Sequence, residues 1–473
     1  KERDNLVNPS SRPVPGELKP PVVLPAYLSR ALSRLKVRSE AAASPEQLTA
    51  LVTGASGFLG RFLVATLLEA TDGRVLCMVR AKDHAAAKVR VLDSLRKAGV
   101  HSPALTDRIE AIAGDLSQRN LGLPFVDFQG LASRVTHVFN AAAKVNLTEP
   151  FELMRKDNVD ATEHLLEFCC AVRPKPLHHI STMGVLTPGM LNRHGVVPES
   201  EPLGDIRLLP LYGMGDQANG YPYSKWLAEM LVFEAGRQGL PVFVHRPGLI
   251  GGHSETGVMA EDVFYHFLSD VVRLREVPSM EGNKFNLTPV DWVAKSIVQI
   301  ATAPEWAGAA GGTFHPAASS NTVTMDTVCN VLRDMGYTGL HWVDFARWRS
   351  KILANPETFK SWSFCASLTA EGDGIDSMAG SASGGKAMRQ MVGEEAWGNF
   401  DPAVCLERML RYCQSTGLLP APAAEDTADA AASPRPLPGA QGNLDGLAIS
   451  ARQPLLRSAV RPQGAGAGGG AAV

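Results

Sequence analysis

The sequence predicts an α/β fold in which a doubly wound parallel sheet is followed by a smaller C-terminal substrate-binding lobe. From residue 48 to about residue 250, short apolar runs alternate with segments of helical periodicity. Strands that alternate with helices form parallel sheets, because each helix returns the chain to the same edge of the sheet. Beyond Gly248 the alternation becomes less regular, and we expect this part to form the smaller lobe.

Each element of the predicted sheet follows from its own pattern. Apolar runs of four to six residues predict buried strands at 48–52, 74–79, 109–112, 135–139, 177–180 and 242–245. Apolar residues at helical spacing predict helices at 61–69, 88–95 and about 222–237.

The two ends of the chain differ in composition from its middle. Residues 1–47 are rich in proline, serine and charge, which predicts a linker. Residues 421–473 are mostly Ala, Pro and Gly, too poor in large apolar side chains to offset chain entropy, so we expect a disordered tail. The folded part then divides into domains at 48–250 and 251–420. The chain begins at Lys1 without a signal-like apolar stretch, and we expect it to be a piece of a longer polypeptide.

Charge and cysteine content exclude several classes of protein. A net charge of −2 at pH 7 gives no electrostatic basis for binding nucleic acid or an anionic membrane. No run of eighteen apolar residues occurs, so no transmembrane helix is expected. The 7 cysteines are irregularly spaced without a CxxC pair. This argues against disulfides or a metal site and favours buried thiols in a reducing, cytoplasmic compartment.

A glycine-rich turn lies between the first predicted strand and the first predicted helix. It reads Thr53-Gly54-Ala55-Ser56-Gly57-Phe58-Leu59-Gly60. Glycines permit a tight turn and let the backbone approach a pyrophosphate, whose charge is bound by N–H groups at the helix N-terminus. Glycine turns are common, but this strand–turn–helix context favours dinucleotide binding over a purely structural turn.

The residue that ends the second strand indicates which dinucleotide is bound. An acidic residue there would bond the ribose 2′-hydroxyl, but the sequence has Arg80. A guanidinium suits a 2′-phosphate, so NADPH is preferred over NADH. Arg90 can reach the same phosphate, and a solvated helix charge is an equal interpretation for it.

Two further strand ends fit a bound dinucleotide. Asp115 and Leu116 follow the third strand, where the Asp115 carboxylate can bond the adenine amine. Asn140 is followed by three alanines, which allow the cofactor to lie close to the backbone. Each segment taken alone is also compatible with an ordinary loop.

Tyr221 and Lys225 form a candidate catalytic pair. At positions i and i+4 they share one helix face, whereas Tyr223 faces away. A nearby ammonium favours the phenolate, so we expect the pKa of the Tyr221 phenol to be lowered. Lys225 can also bond the nicotinamide ribose. The same spacing occurs on exposed helices as a plain surface pair, and it gains weight here because it follows the glycine turn.

A hydroxyl that polarises a carbonyl is expected where the strand at 177–180 ends. Ser181 and Thr182 are the two candidates, and capping of the strand end is the structural alternative. A hydroxyl and a phenol on one developing oxyanion, beside a nicotinamide, would support hydride transfer at a carbonyl group.

Together these residues resemble the extended short-chain dehydrogenase/reductase family. More narrowly they resemble the thioester reductase domains of nonribosomal peptide synthetases, polyketide synthases, aminoadipate reductases and carboxylic acid reductases. The resemblance covers roughly residues 48–350. The matching segments are 53–61, 79–83 with Arg90, 220–226, 245–250 and 289–293.

The resemblance implies a Rossmann sheet and NADPH-dependent release of an acyl thioester from the phosphopantetheine of a carrier protein domain. The product is an aldehyde, which some relatives reduce again to an alcohol. By position in the family pattern, Thr182 is the matching hydroxyl, Tyr221 is the acid and Lys225 is its partner. The N-terminal linker fits a domain that follows a carrier protein.

Other readings stay open. A fatty acyl-CoA reductase shares the fold and the cofactor, and an extended-family epimerase or dehydrogenase would act on a sugar nucleotide or sterol. A non-catalytic binding protein is disfavoured because Tyr221 and Lys225 are both present. The segment 374–378 resembles the serine motif of acyl carrier proteins, but its glycine- and serine-rich flanks indicate a loop, and we interpret the match as a coincidence.

Overall fold

The computed structural model describes residues 47–186, 197–199, 203, 220–280, 285–303, 311–317, 322–368 and 400–422. The predicted linker, apart from residue 47, and the predicted tail, apart from residues 421 and 422, lie outside this range. The serine motif at 374–378 lies outside it as well.

A seven-stranded parallel sheet forms the centre of the molecule and confirms the predicted fold class. Its strands are β1 (Thr49–Thr53), β2 (Arg74–Val79), β3 (Ile109–Ala113), β4 (His137–Asn140), β5 (Leu177–Ile180), β6 (Val242–His245) and β10 (Gly311–Phe314). Their spatial order is β10-β6-β5-β4-β1-β2-β3. Strands β2 and β3 lie on one side of β1, and β4, β5 and β6 lie on the other, so the direction in which strands are added reverses between β3 and β4. Ligands of doubly wound sheets bind at such a switch point.

Helices cover both faces of the sheet, which explains why most residues of its strands are buried. They are α1 (Phe58–Ala70), α2 (His84–Lys97), α3 (Phe125–Arg134), α4 (Phe151–Arg155), α5 (Ala161–Cys170), α6 (Gly220–Arg237), and later α8 (Val290–Thr302). One apolar core lies between the sheet and α1, α2 and α8. A second core lies on the opposite face against α3, α5 and α6.

Most predicted bounds agree with the structure within a residue or two, and the larger differences have local causes. Helix α1 starts three residues before the predicted 61, because Gly57 already serves as its N-cap. Helix α2 starts at His84 because the Asp83 side chain accepts a hydrogen bond from the N–H of Ala86. Strand β4 starts two residues late because Val135 still caps α3.

The chain after β6 builds a further group of short strands and helices around a separate apolar core. They are β7 (Leu249–Gly251), α7 (Val263–Leu274), β8 (Glu276–Ser279), β9 (Phe285–Pro289), β11 (Thr322–Val323), α9 (Met325–Asp334), β12 (His341–Asp344), α10 (Phe345–Leu353), α11 (Trp362–Ala366) and α12 (Pro402–Ser415). Among the described residues no helix is long and apolar enough to cross a membrane. All seven cysteines are free and buried.

A row of stacked rings crosses one face of the sheet from β4 to β10. The ring of His178 lies 4.8 Å from that of Phe139 on one side and 4.7 Å from that of Phe243 on the other. Its Nδ1 atom is 3.2 Å from Nε2 of His245, whose ring stacks on Phe314. These imidazoles are buried in the core of the sheet, so their charged forms are strongly disfavoured.

We expect these buried histidines to make the fold sensitive to mild acid. Burial lowers the pKa of His245 and His315 to about 3, and it lowers the pKa of His178 and His179 well below the usual value. The unfolded chain therefore binds more protons than the native state below about pH 6.5. The urea concentration at the unfolding midpoint should be lower at pH 5 than at pH 7.5. In His178→Phe, whose new ring matches its phenylalanine neighbours, the decrease should be smaller. Equal midpoints at both pH values would contradict the expectation.

Candidate active site

The glycine turn joins β1 to α1 at the carboxyl edge of the sheet, and its shape depends on missing side chains. Gly54 has φ +65°, and its carbonyl accepts a 2.8 Å hydrogen bond from the N–H of Gly57. A Cβ atom on Gly54 would lie 2.8 Å from the backbone of Ala141. The turn therefore packs directly on the segment that follows β4. It presents the start of α1, whose glycine N-cap has no side chain, toward the cleft.

A cavity of about 540 Å³ opens between the ends of β1, β2, β3 and β4. Six of the predicted cofactor residues line it, namely Gly54, Ser56, Gly57, Arg80, Arg90 and Leu116. The alanines that follow β4 form another wall. The volume is typical of small-molecule sites, and glycines, an uncapped helix start and two guanidiniums match the chemistry of a phosphorylated dinucleotide.

Two arginines stand together at one side of this cavity. The Arg80 guanidinium is ion-paired with Asp157, and its Nε lies 3.6 Å from the Asp115 carboxylate. Arg90 donates from Nε to Oγ of Ser56 at 3.1 Å and from Nη1 to the Arg80 carbonyl at 2.9 Å. Arg80 is 64% exposed, so its guanidinium stays within reach of a ligand. Arg90 is exposed and also contacts the turn, so the phosphate role and the solvated helix charge both stay predictions for it.

Asp115 closes its own loop. Its carboxylate accepts hydrogen bonds from Ser117 and Gln118. Partial burial alone would raise the pKa of this carboxyl, but these bonds and the Arg80 charge together lower it. The group is therefore ionised and able to accept a hydrogen bond from a ligand amine.

Thr53 and Asn140 lie beneath the cavity instead of lining it. Oγ1 of Thr53 donates to Oδ1 of Asn140 at 2.8 Å, and Nδ2 of Asn140 is 3.2 Å from Nδ1 of His179. All three side chains are buried. The two residues predicted to contact the cofactor thus join the ends of β1, β4 and β5, and they set the shape of the floor. Phe58, Leu59, Gly60 and Asp115 also do not line the cavity.

The predicted catalytic pair lies on α6, and one member is anchored to the end of β5. Nζ of Lys225 donates a 2.7 Å hydrogen bond to the carbonyl of Ile180, the last residue of that strand. Tyr221 is half-buried one turn earlier on the same helix face. The structure thereby brings the pair to the segment Ser181–Thr182.

Hydrogen bonding separates the two candidate hydroxyls. Ser181 is buried, and its Oγ donates to the Glu229 carboxylate. Thr182 is half-buried, and its Oγ1 accepts a 3.1 Å bond from the N–H of Gly184. That bond uses a lone pair of Oγ1 and leaves its proton for donation. Thr182 is therefore the better placed of the two to donate to a carbonyl oxygen.

The expected lowering of the Tyr221 pKa is wrong for this structure. Burial raises the pKa of the Tyr221 phenol to about 12. Burial also lowers the pKa of the Lys225 ammonium to about 8, with Glu229 opposing the shift. The effect of burial on the Tyr221 pKa outweighs that of the Lys225 charge, because the Lys225 ammonium donates its hydrogen bond to the Ile180 carbonyl. Tyr221 is consequently protonated at neutral pH, as a proton donor must be.

Sequence reasoning missed several polar residues that hold the site. Asn158 bonds both backbone groups of Lys144 and donates to Oγ of Ser224 at 2.9 Å, which ties the loop after β4 to α6. Asp157 lines the cavity and forms an ion pair with Arg80. Glu229 extends the Tyr221–Lys225 series to i+8, and this spacing was a signal that the sequence contained.

Comparison with known proteins identifies the chain's relatives. The sequence model of the male sterility protein family matches residues 52–297. Glycine betaine reductase ATRR of Emericella nidulans is 35% identical over 64% of this chain and 24% of its own length. The isonitrile lipopeptide synthase of Streptomyces coeruleorubidus is 32% identical over 87% of this chain and 27% of its own length. The chain thus spans about a quarter of these relatives.

A solved structure matches over nearly its full length. It is the terminal R domain from the myxalamid PKS-NRPS biosynthetic pathway, which is 31% identical, with a TM-score of 0.74, over 85% of this chain and 98% of that domain. The family model covers both the glycine turn and α6. The chain therefore belongs to the male sterility protein family, as an extended short-chain dehydrogenase/reductase of the thioester reductase type that uses a nicotinamide cofactor.

Proposed function

We propose that this chain is an NADPH-dependent reductase that releases an acyl or peptidyl thioester from the phosphopantetheine of a carrier protein domain as an aldehyde. One observation carries the proposal. Lys225 donates to the carbonyl of Ile180 at the carboxyl edge of the sheet, the edge at which the cavity with Arg80 opens, and this supports a site that includes Tyr221 and Thr182. The similarity to terminal R domains supports a thioester as the substrate.

The residues divide the work as follows. The glycine turn and the start of α1 would hold the pyrophosphate, and Arg80 with Arg90 would hold the 2′-phosphate. The chemistry that the bound cofactor supplies is hydride donation. Thr182 and Tyr221 donate hydrogen bonds to the thioester carbonyl oxygen, where negative charge develops.

Tyr221 then gives its phenolic proton to that oxygen, which forms the hemithioacetal. The hemithioacetal collapses when its hydroxyl proton returns to the Tyr221 oxygen, its C–S bond breaks and the leaving sulfur takes a proton from water. An aldehyde and the free phosphopantetheine thiol leave. Lys225 orients the ribose and offsets negative charge that forms on the Tyr221 oxygen. A second reduction of the aldehyde to an alcohol would use the same groups.

The function can be tested with purified protein, NADPH and an acyl-pantetheine thioester. Loss of nicotinamide absorbance should match the aldehyde and thiol released, one of each for every NADPH consumed. An acyl-CoA and a UDP-sugar are each tested as the alternative substrate in separate reactions. Turnover of the UDP-sugar, with no consumption of NADPH on any thioester, would overturn the proposal in favour of an epimerase or dehydrogenase.

Arg80→Ala is expected to weaken NADPH binding by at least about tenfold while changing NADH binding little. A charge-assisted bond to a phosphate contributes roughly 1.5–3 kcal/mol, and 1.4 kcal/mol corresponds to a tenfold change in affinity. Asp157 already pairs with Arg80, so the phosphate has to compete with an internal carboxylate, which keeps the effect moderate. Cofactor fluorescence titrations would measure both dissociation constants.

The matched control for this measurement is Arg96→Ala. Arg96 is an exposed arginine in the last turn of α2, paired with Asp93 and outside the cavity. Its removal should leave both cofactors unaffected. Equal losses of NADPH and NADH affinity in Arg80→Ala would refute the 2′-phosphate role.

A further inference from the structure

Helix α6 is fastened to strand β5 by two buried side chains one turn apart. Lys225 donates to the carbonyl of Ile180 at 2.7 Å. Glu229, four residues later, accepts a hydrogen bond from the hydroxyl of Ser181. These bonds join successive residues of the helix face that carries Tyr221 to successive residues of the segment that ends in Thr182. The register between the proposed acid and the proposed hydroxyl therefore depends on both bonds.

Glu229 is itself held by a buried arginine. Arg246, which follows β6, donates to Oε1 of Glu229 from Nε at 2.9 Å and from Nη2 at 2.5 Å. Both side chains are fully buried. Nη1 of Arg246 lies 3.4 Å from Nε2 of His315, just beyond β10. The pair thus connects α6 with β5, β6 and the end of β10.

A buried ion pair is a poor device for stability alone. Removing two charges from water costs as much as their attraction returns, and apolar side chains of similar volume often replace such pairs without loss. A carboxylate placed one helical turn from the proposed catalytic lysine acts differently, because low local dielectric strengthens its effect on that ammonium.

We infer that Glu229, held by Arg246 and Ser181, is a positioning residue that sets the register of α6 against β5 and keeps Lys225 in its ammonium form. The inference rests on the proposed roles of Tyr221, Thr182 and Lys225. Glu229, Arg246 and Ser181 would then act on the reaction through Lys225 and Thr182, without contacting substrate or cofactor.

The groups around Lys225 determine the sign of the expected pH effect. Helix α6 contributes Tyr221 and Glu229, β5 contributes His179, and Arg246 stands behind Glu229. Burial, together with the Lys225 charge, lowers the pKa of His179, so His179 is neutral. Burial lowers the pKa of Lys225 to about 8, and Glu229 opposes this. Loss of the carboxylate should therefore let the Lys225 pKa fall further and move the alkaline limb of turnover to lower pH.

The experiment compares Glu229→Gln, Arg246→Met and the double variant with the wild-type chain. Denaturant midpoints, turnover against pH and the NADPH dissociation constant against pH are measured for each. Both single variants should have lower midpoints, because each leaves one buried group without its counterpart. The double variant should regain most of the midpoint, yet its alkaline limb should stay at lower pH than that of the wild type, because Arg246 stands behind Glu229 and its removal offsets only part of the lost negative charge.

A matched pair controls for the loss of any glutamate and arginine. Glu110 and Arg134 form an exposed, two-bond ion pair between β3 and α3. Glu110→Gln with Arg134→Met should leave the pH profile unchanged. A Glu229/Arg246 double variant that regains both its midpoint and a wild-type pH profile would reduce the pair to a structural role and overturn the inference about charge.

Ser181→Ala tests the register without altering any charge. It should lower kcat by about tenfold at every pH, with the NADPH dissociation constant and the alkaline limb unchanged. Wild-type turnover in this variant would contradict the positioning role, whatever the folding of the charge variants. If the wild-type chain reduces no thioester, the proposed function fails, whereas the pH dependence of NADPH binding in Glu229→Gln still tests the effect of Glu229 on Lys225.

Discussion

Replacing Tyr221 by phenylalanine is expected to lower turnover by on the order of a hundredfold or more while NADPH affinity and the fold are retained. The change removes one oxygen atom from a half-buried ring. Burial holds the pKa of this phenol at about 12, so it carries its proton throughout the neutral range. Its loss takes away the proposed proton donor and one of the two hydrogen bonds on the developing oxyanion.

Steady-state assays with an acyl-pantetheine thioester would measure the effect, and fluorescence titration would confirm cofactor binding. Tyr223→Phe is the matched control on the same helix. The Tyr223 ring packs edge-to-face on Phe151 at 4.6 Å, so the ring contact survives the change. Its turnover should stay near that of the wild type. Unchanged turnover in Tyr221→Phe would remove this residue from the mechanism.

Gly60→Ala is expected to destabilise the chain by about 3 kcal/mol and to abolish measurable cofactor binding. Gly60 lies in the first turn of α1, and a Cβ atom there would overlap the carbonyl oxygen of Gly54. The atom that a Cβ on Gly60 would overlap belongs to the backbone of Gly54, so no side-chain rotation relieves the overlap. The turn has to open, and the N–H groups that would face the pyrophosphate move with it.

Gly130→Ala supplies the comparison. Gly130 is also within a helix, α3, but an added Cβ atom would have nothing within 4 Å. Alanine favours helices over glycine by up to about 1 kcal/mol, so this variant should be slightly more stable. Urea unfolding and NADPH titration of both variants separate the steric effect from helix propensity. A Gly60→Ala chain with wild-type stability and affinity would show that the turn has room to spare.

The alternation of strands and helices was readable from the sequence because both faces of the sheet are covered. Strands β2, β5 and β6 have the predicted bounds, since each is a short run that is almost entirely buried and is interrupted at both ends by Gly, Pro or a polar residue. The strands of the C-terminal lobe were not predicted. They are two to five residues long and, unlike β5 and β6, do not alternate regularly with helices along the chain.

Within the candidate site, local chemistry was predictable and long-range pairing was not. The turn at residues 54–57 and the Tyr221–Lys225 spacing are contained in a few consecutive residues. The bond between Thr53 and Asn140 joins positions 87 residues apart, and the Arg246–Glu229 pair joins the strand end after β6 to α6. Burial determines the direction of the Tyr221 pKa shift. The sequence shows that a lysine lies one turn away on the helix, but it does not show how far the phenol is buried.

The stacked imidazoles of the sheet limit what an activity assay can report. Their protonation penalises the native state below about pH 6.5, whereas deprotonation of Lys225 acts above its pKa of about 8. Loss of activity at acid pH would then reflect unfolding of the sheet, and loss at alkaline pH would reflect deprotonation of Lys225 in the site. Acid loss of activity should be reversible on neutralisation only as far as refolding is, and a pH profile is best interpreted beside unfolding curves taken in the same buffers.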